Sequence, residues 1–225
     1  KYVKDIKIPS GEITNYQLMN MISKTNKKLF MSTGMSNTYE IENAIKIITN
    51  GDLTKYKNNF LLQCTTSYPT PIQDVNLNMM KYLRNKFKCK IGFSDHTLSD
   101  VSAQIAVAIG AECIEKHVTL DNNMDGPDHK MSLNIKNFKN FVQNIRNVNK
   151  ILGLYIKRKV DIENENSINV RKSIHAKCQI FKGDLFTNIN ICLKRPGIGI
   201  NPKYFNKLIG KRSKYNFNKD DIIKL

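Results

Sequence analysis

The chain has no run of about 18 apolar residues, the length that would mark a bilayer-spanning helix. It also shows no secretory signal peptide, so no membrane partner is expected. CxxC pairs are missing as well. The five cysteines (Cys64, Cys89, Cys113, Cys178 and Cys192) are odd in number. Cys64 and Cys113 fall inside apolar strand-like runs, where a thiol behaves as a small hydrophobe. This excludes a disulfide framework or a zinc ribbon and points to a reducing compartment, the cytoplasm. Acidic residues are scarce: 19 Asp and Glu stand against 36 Lys and Arg, for a net charge of +17. Arg is itself rare, however, and no basic helix with interleaved aromatics stands out. The lysines are spread with Asn and Ile along the whole chain, so no nucleic-acid partner is expected. A positive field would still draw in a small anionic substrate. There is no initiator Met, and the chain opens almost directly on a strand-like run, Val3 to Pro9. It reads as a piece of a longer protein.

What is present is a rhythm. Hydrophobic residues make up 40% of the chain, enough for a core. Over residues 1–153, short apolar runs ending in small polar residues alternate with amphipathic helices. The runs are Ile6–Ser10, Leu29–Gly34, Phe60–Thr65, Ile91–Asp95 and Cys113–His117. The helical period predicts helices over Asn15–Ser23, Thr38–Ile48, Leu77–Asn85, Asp100–Ile109 and Ile135–Leu152. This alternation predicts an α/β fold with a parallel sheet. A doubly wound sheet would gather function at one switch point. Here each strand ends in its own Ser, Thr, Lys or His, which favours a (β/α)8 TIM barrel. Only five strand units are found, so the chain is read as the C-terminal part of such a barrel, with about three strands expected upstream of Lys1. Residues 154–169 are charged, polar and without period, and read as a linker. Residues 170–225 read as a small, turn-rich, β-rich domain with little core of its own.

Two strings carry the chemistry. Ser94-Asp95-His96-Thr97 and Glu115-Lys116-His117 end neighbouring strands of one strand–helix–strand unit. Parallel neighbours bring those ends together, so His96 and His117 can share one divalent metal ion, Mn²⁺ or Mg²⁺, left open to substrate. Residues i and i+2 of a strand share a face, so Glu115 points the same way as His117. Lys7, Ser10, Ser32-Thr33-Gly34, Thr65-Thr66-Ser67 and Ser94 also end strands. Together they could cradle a phosphate or carboxylate, although a Ser or Thr before a helix is often only its N-cap. Lys7 lies between Ile6 and Ile8 in a strand expected to be buried, so it needs an anionic partner. Asp128 sits in a Pro–Asp turn near the histidines, where it is either a sugar contact or an ordinary solvated acid.

In order, Lys7-Ile8-Pro9-Ser10-Gly11-Glu12, Ser32-Thr33-Gly34-Met35, Cys64-Thr65-Thr66-Ser67-Tyr68-Pro69-Thr70-Pro71, Gly92–Thr97, Glu115–His117 and Gly126–Lys130 resemble the sialic acid synthase family. Lys194-Arg195-Pro196-Gly197-Ile198-Gly199-Ile200 resembles that family's antifreeze-like (SAF) domain. The resemblance implies condensation of phosphoenolpyruvate with an N-acyl hexosamine, such as N-acetylmannosamine, to a nine-carbon α-keto acid and phosphate. Legionaminate or pseudaminate synthesis, or a non-catalytic fragment that binds sugar or a partner, are the alternatives. It implies metal binding by His96 and His117, and phosphoenolpyruvate binding by Lys7, Ser10, Ser32, Thr66 and Ser94. Thr66 stands where some members carry an amide. Tyr68 and Asp128 would orient the sugar, and Glu115 would handle protons or support the site. Arg195 would reach the sugar of a partner subunit, which implies a domain-swapped homodimer. The family's first three barrel strands lack counterparts here, so this piece alone is expected to be inactive.

Overall fold

The computed structural model describes residues 2–225, which divide into two compact units, one ending at Leu154 and the other spanning Tyr155–Leu225. In the first unit, β1 (Asp5–Ile8), β2 (Lys28–Ser32), β3 (Phe60–Cys64), β4 (Lys90–Asp95) and β5 (Cys113–Lys116) form a parallel sheet in the order β1-β2-β3-β4-β5. Spatial order follows chain order without reversal. A doubly wound sheet would reverse at a switch point, so the winding is that of an arc of a barrel. Right-handed crossovers then place every connecting helix on one face. These helices are α1 (Tyr16–Ser23), α2 (Thr38–Ile48), α3 (Asn78–Phe87) and α4 (Val101–Ala108). Local sequence sets their ends. The Asn37 and Glu40 side chains form a reciprocal capping box that starts α2. Lys88, at φ +52°, closes α3 in the left-handed region.

Strand register sorts the two faces. Ile8, Met31, Leu61 and Ile91 are Cα partners across four strands and all turn toward the helices. They are buried there with Ile45, Met80 and Leu83. Each such side chain contributes about 1.5–3 kcal/mol by leaving water. The alternate residues line the opposite face. Phe30 and Phe60 stack there with ring centroids 4.6 Å apart. Above them come Ser32, Leu62, Gly92 and Cys113, then Cys64, Ser94 and Glu115. At Gly92 a Cβ would lie 2.5 Å from Leu62 Cδ2 and 2.7 Å from the Cys113 carbonyl oxygen, so only glycine lets the three strands approach.

The structure adds elements that the sequence did not reveal. β6 (Val118–Thr119) continues beyond β5 across His117 and pairs in parallel with β7 (Leu133–Asn134). A sixth strand therefore precedes α5 (Ile135–Leu152), whose first turn is capped by the Asn134 side chain. Two residues are too few to display a strand period. In the second unit, α6 (Glu163–Val170) begins inside the stretch 154–169 read as a linker and takes up its end. It buries none of its residues, so no apolar stripe announced it. Glu163 and Glu165 favour its first turn through the helix dipole. The rest of this unit joins β8 (Ser173–Ala176) and β9 (Ile191–Lys194) antiparallel, over a small core including Ile174, Ile180, Phe186 and Phe217. A short helix, α7 (Phe205–Leu208), completes it.

Candidate functional site

Lys7, Ser32, Ser94 and Glu115, near the carboxyl ends of their strands, share the sheet face opposite the helices. At the end of β4, His96 Nδ1 lies 2.8 Å from the Thr65 carbonyl oxygen. A carbonyl can only accept, so Nδ1 carries a proton, and in the neutral ring the lone pair is on Nε2. His117 follows β5, and its ring centroid is 5.3 Å from that of His96. Burial, then the neighbouring His96, push its pKa below the ordinary imidazole value, against the pull of Asp128 and Glu115. Asp128 is exposed, and its Oδ2 is 3.8 Å from His117 Nδ1. The half-exposed Tyr68 ring lies 4.3 Å from the His96 ring and 5.7 Å from that of His117. Among the described residues, no group of three or more His, Cys, Asp or Glu side chains is placed to hold a metal ion.

Beside the histidines is a set of hydroxyls. Ser94 Oγ donates to Glu115 Oε1 at 2.7 Å, and Lys7 Nζ lies 3.4 Å from the same oxygen. The partner that Lys7 required is therefore Glu115. The lysine is not buried as expected: β1 ends the sheet, and its side chain keeps 33% of its exposure. Ser10 Oγ accepts a hydrogen bond from the Gly34 amide at 2.9 Å. A Cβ on Gly34 would meet Thr66 Oγ1 at 2.3 Å and Ser10 Oγ at 2.9 Å, so glycine keeps these groups converged. Among the described residues, only Ser32 Oγ and Thr66 Oγ1 are buried side-chain polar atoms without a hydrogen-bond partner. Leaving such a donor unmet costs about 1–3 kcal/mol.

The structure thus gathers Lys7, Ser10, Ser32, Thr66, Tyr68, Ser94, His96, Glu115, His117 and Asp128. Arg195 belongs to the second unit, where its Nε donates to the Val170 carbonyl at 3.0 Å. Sequence reasoning misses one site residue. Cys64 reads as a small hydrophobe, yet its Sγ is 3.8 Å from His96 Nδ1. Burial raises its pKa, so it presents a neutral thiol. Its place directly before Thr65 in a strand-end string was the available signal. The Thr65 carbonyl had none, because a backbone acceptor looks the same at every position.

Residues 1–157 match the model of the NeuB family. The chain is 44% identical over 222 residues to N,N'-diacetyllegionaminic acid synthase of Campylobacter jejuni, covering 99% of this chain and 66% of that protein. It resembles the crystal structure of N-acetylneuraminic acid synthetase from Leptospira borgpetersenii, at 33% identity and a TM-score of 0.64, over 73% of this chain and 56% of the other. A spore coat polysaccharide biosynthesis protein E from Chromobacterium violaceum shares the fold, with a TM-score of 0.70 at 23% identity over 98% of this chain and 66% of that one. The chain spans about two thirds of the length of the curated relatives it matches.

Proposed function

The chain belongs to the NeuB family, and on that premise we propose that the whole protein is a sialic-acid-type synthase. It joins the vinyl carbon of phosphoenolpyruvate to the aldehyde carbon of an N-acyl hexosamine, consumes water, and releases phosphate and a nine-carbon α-keto acid. The observation that carries this reading is the pair of buried hydroxyls without partners, Ser32 Oγ and Thr66 Oγ1, on the face that bears two imidazoles. Donors left unmet in the folded chain await an acceptor-rich ligand, and a phosphorylated carboxylate supplies many acceptors.

Lys7, Ser10, Ser32, Thr66 and Ser94 bind that anion. Lys7 and Ser94 turn from Glu115 to the ligand, which frees the Glu115 carboxylate to hold or move a proton. His96 and His117 fit a divalent ion, Mn²⁺ or Mg²⁺: one has a fixed tautomer, the other a lowered pKa, and two ligands leave positions open. When bound, the ion supplies Lewis-acid polarisation of the aldehyde oxygen. Tyr68 and Asp128 clamp the sugar hydroxyls. The second unit acts as a SAF domain, and its Arg195 completes the sugar site of a partner subunit in a swapped homodimer. The 44% identity to a diacetyllegionaminic acid synthase favours a doubly acylated sugar.

The test is an assay of the full-length protein with phosphoenolpyruvate, Mn²⁺ and a panel of mono- and di-N-acetylated hexosamines. Phosphate and keto acid should appear in equal amounts with at least one sugar. Phosphate release that ignores the sugar, or no turnover with any of them, refutes the reading.

A further inference from the structure

A buried ion pair lies on the far side of the sheet from the site. Lys116 Nζ is 2.9 Å from Asp95 Oδ2, and the two side chains are 3% and 0% exposed. Lys116 also donates to the Thr97 carbonyl, and its Nζ stands 5.7 Å from the centre of the Phe141 ring on α5. Asp95 Oδ1 accepts from the Thr97 amide at 2.9 Å. The two residues are Cα partners across β4 and β5. Each immediately precedes one of the site histidines, so strand alternation turns the pair toward the helices and the imidazoles toward the site.

Stability does not explain such a pair. Moving two charges out of water costs several kcal/mol per ion, and apolar replacements of similar volume are often as stable. Register does explain it. A one-residue slip of β5 would exchange the faces of Glu115 and Lys116 and carry His117 out of the site. Ile114 on the core and the Ser94–Glu115 hydrogen bond favour the same register. A lysine that finds its carboxylate in only one register adds the constraint nearest the two histidines.

We infer that Asp95 and Lys116 are positioning residues that set the spacing of His96 and His117 through the adjoining backbone. Neither touches substrate. This rests on the reading that the two histidines hold a divalent ion, and the readouts below separate the two ideas.

The variant that tests the pairing is Asp95→Leu with Lys116→Met in the full-length protein. Its melting temperature in chelator should stay within roughly 5 °C of the parent, since both charges leave together. Its Mn²⁺ dissociation constant, measured by electron paramagnetic resonance without substrates, should rise about 10- to 100-fold. In the metal-free protein, the nuclear Overhauser contact between the His96 and His117 rings should weaken. Lys116→Met alone should lower the melting temperature by on the order of 10 °C, because it strands a buried carboxylate. Unchanged Mn²⁺ affinity with an unchanged ring contact in the double variant overturns the inference. If the parent binds no Mn²⁺, or His96→Ala binds it equally well, the metal reading falls. The ring contact then decides alone: lost in the double variant, it supports positioning, and kept, it overturns it. Should that variant fail to fold, Asp95→Asn with Lys116→Met takes its place with the same outcomes.

Discussion

Buried polar side chains occur in both units and do opposite things. In the second unit, His175 is 4% exposed. Its Nδ1 donates to the Asp220 carbonyl at 2.9 Å, and its Nε2 lies 3.1 Å from Ser173 Oγ. Ser173 Oγ in turn donates to the Pro196 carbonyl at 2.6 Å. The Nδ1 proton and the hydroxyl proton are both used within the fold, and Nε2 is closed off against Ser173 Oγ. In the first unit, His96 keeps Nε2 free, and Ser32, 2% exposed, has no partner for its hydroxyl. Burial is equal, but remaining hydrogen-bonding capacity is not. Native folds satisfy nearly all buried polar groups, so the groups left over mark where a ligand belongs.

The contrast breaks most visibly at the histidines. In the full-length protein, His96→Ala or His117→Ala should cost at least about 10³-fold in kcat/KM, since Lewis-acid stabilisation is worth several kcal/mol. His175→Ala should leave turnover within about twofold and lower the melting temperature by about 3 °C, the effect of a lost buried hydrogen bond. Phosphate release and a thermal melt measure both. If His175→Ala, assayed well below its melting point, proves as inactive as His96→Ala, the distinction drawn between the two units is wrong.

The serines give a smaller version. Ser32→Ala should raise the KM for phosphoenolpyruvate about tenfold, the effect of one charge-assisted hydrogen bond. The same change should leave the melting temperature level or slightly higher, because an unmet donor leaves the interior. Ser173→Ala should do the reverse, melting about 3 °C lower with an unaltered KM. A lowered melting temperature for Ser32→Ala would mean that its hydroxyl already has a partner in the folded chain.

Acid sharpens the comparison from the other side. His117 has a pKa below the ordinary 6.5, chiefly from burial and then from His96. Between that lowered value and 6.5, the folded chain binds fewer protons at His117 than the unfolded chain does. This group therefore has no effect on stability above 6.5 and destabilises the fold progressively as pH falls through the window. In the metal-free protein, an NMR titration of the His117 ring should give a midpoint below 6.5, and a midpoint at or above 6.5 would contradict the lowered pKa.

The smallest effect is expected at the ion pair of the second unit. Lys194 and Asp220 are in contact but stay 45% and 54% exposed. Solvent screens such pairs, so Lys194→Ala should leave the thermal melt unchanged within error. A clear drop would show that exposure does not separate this pair from Lys116–Asp95.

Most of the first unit is legible in its residue pattern. The predicted helix at Thr38–Ile48 coincides with α2 and that at Ile135–Leu152 with α5, because their apolar stripes repeat over three turns or more. The short parallel pair β6–β7 and the exposed helix α6 are not legible, since neither offers a periodic buried face. In the site, strand-end strings point to His96, His117 and the hydroxyls. They cannot indicate that Lys7 pairs with Glu115 across the sheet, or that Cys64 sits against His96.

The order of β1–β5 and their connecting helices, the face each of their residues takes and the chemical types gathered at the strand ends were determined by the sequence alone. Those properties follow from local periodicity and from an alternation that every strand obeys. Which hydroxyls remain without partners, which nitrogen of His96 is free and what holds β4 and β5 in register were decided only by the tertiary structure. A hydrogen bond depends on the meeting of two groups far apart in the chain. Its absence at Ser32 and its presence at Ser173 have no signature in either residue's neighbours along the sequence.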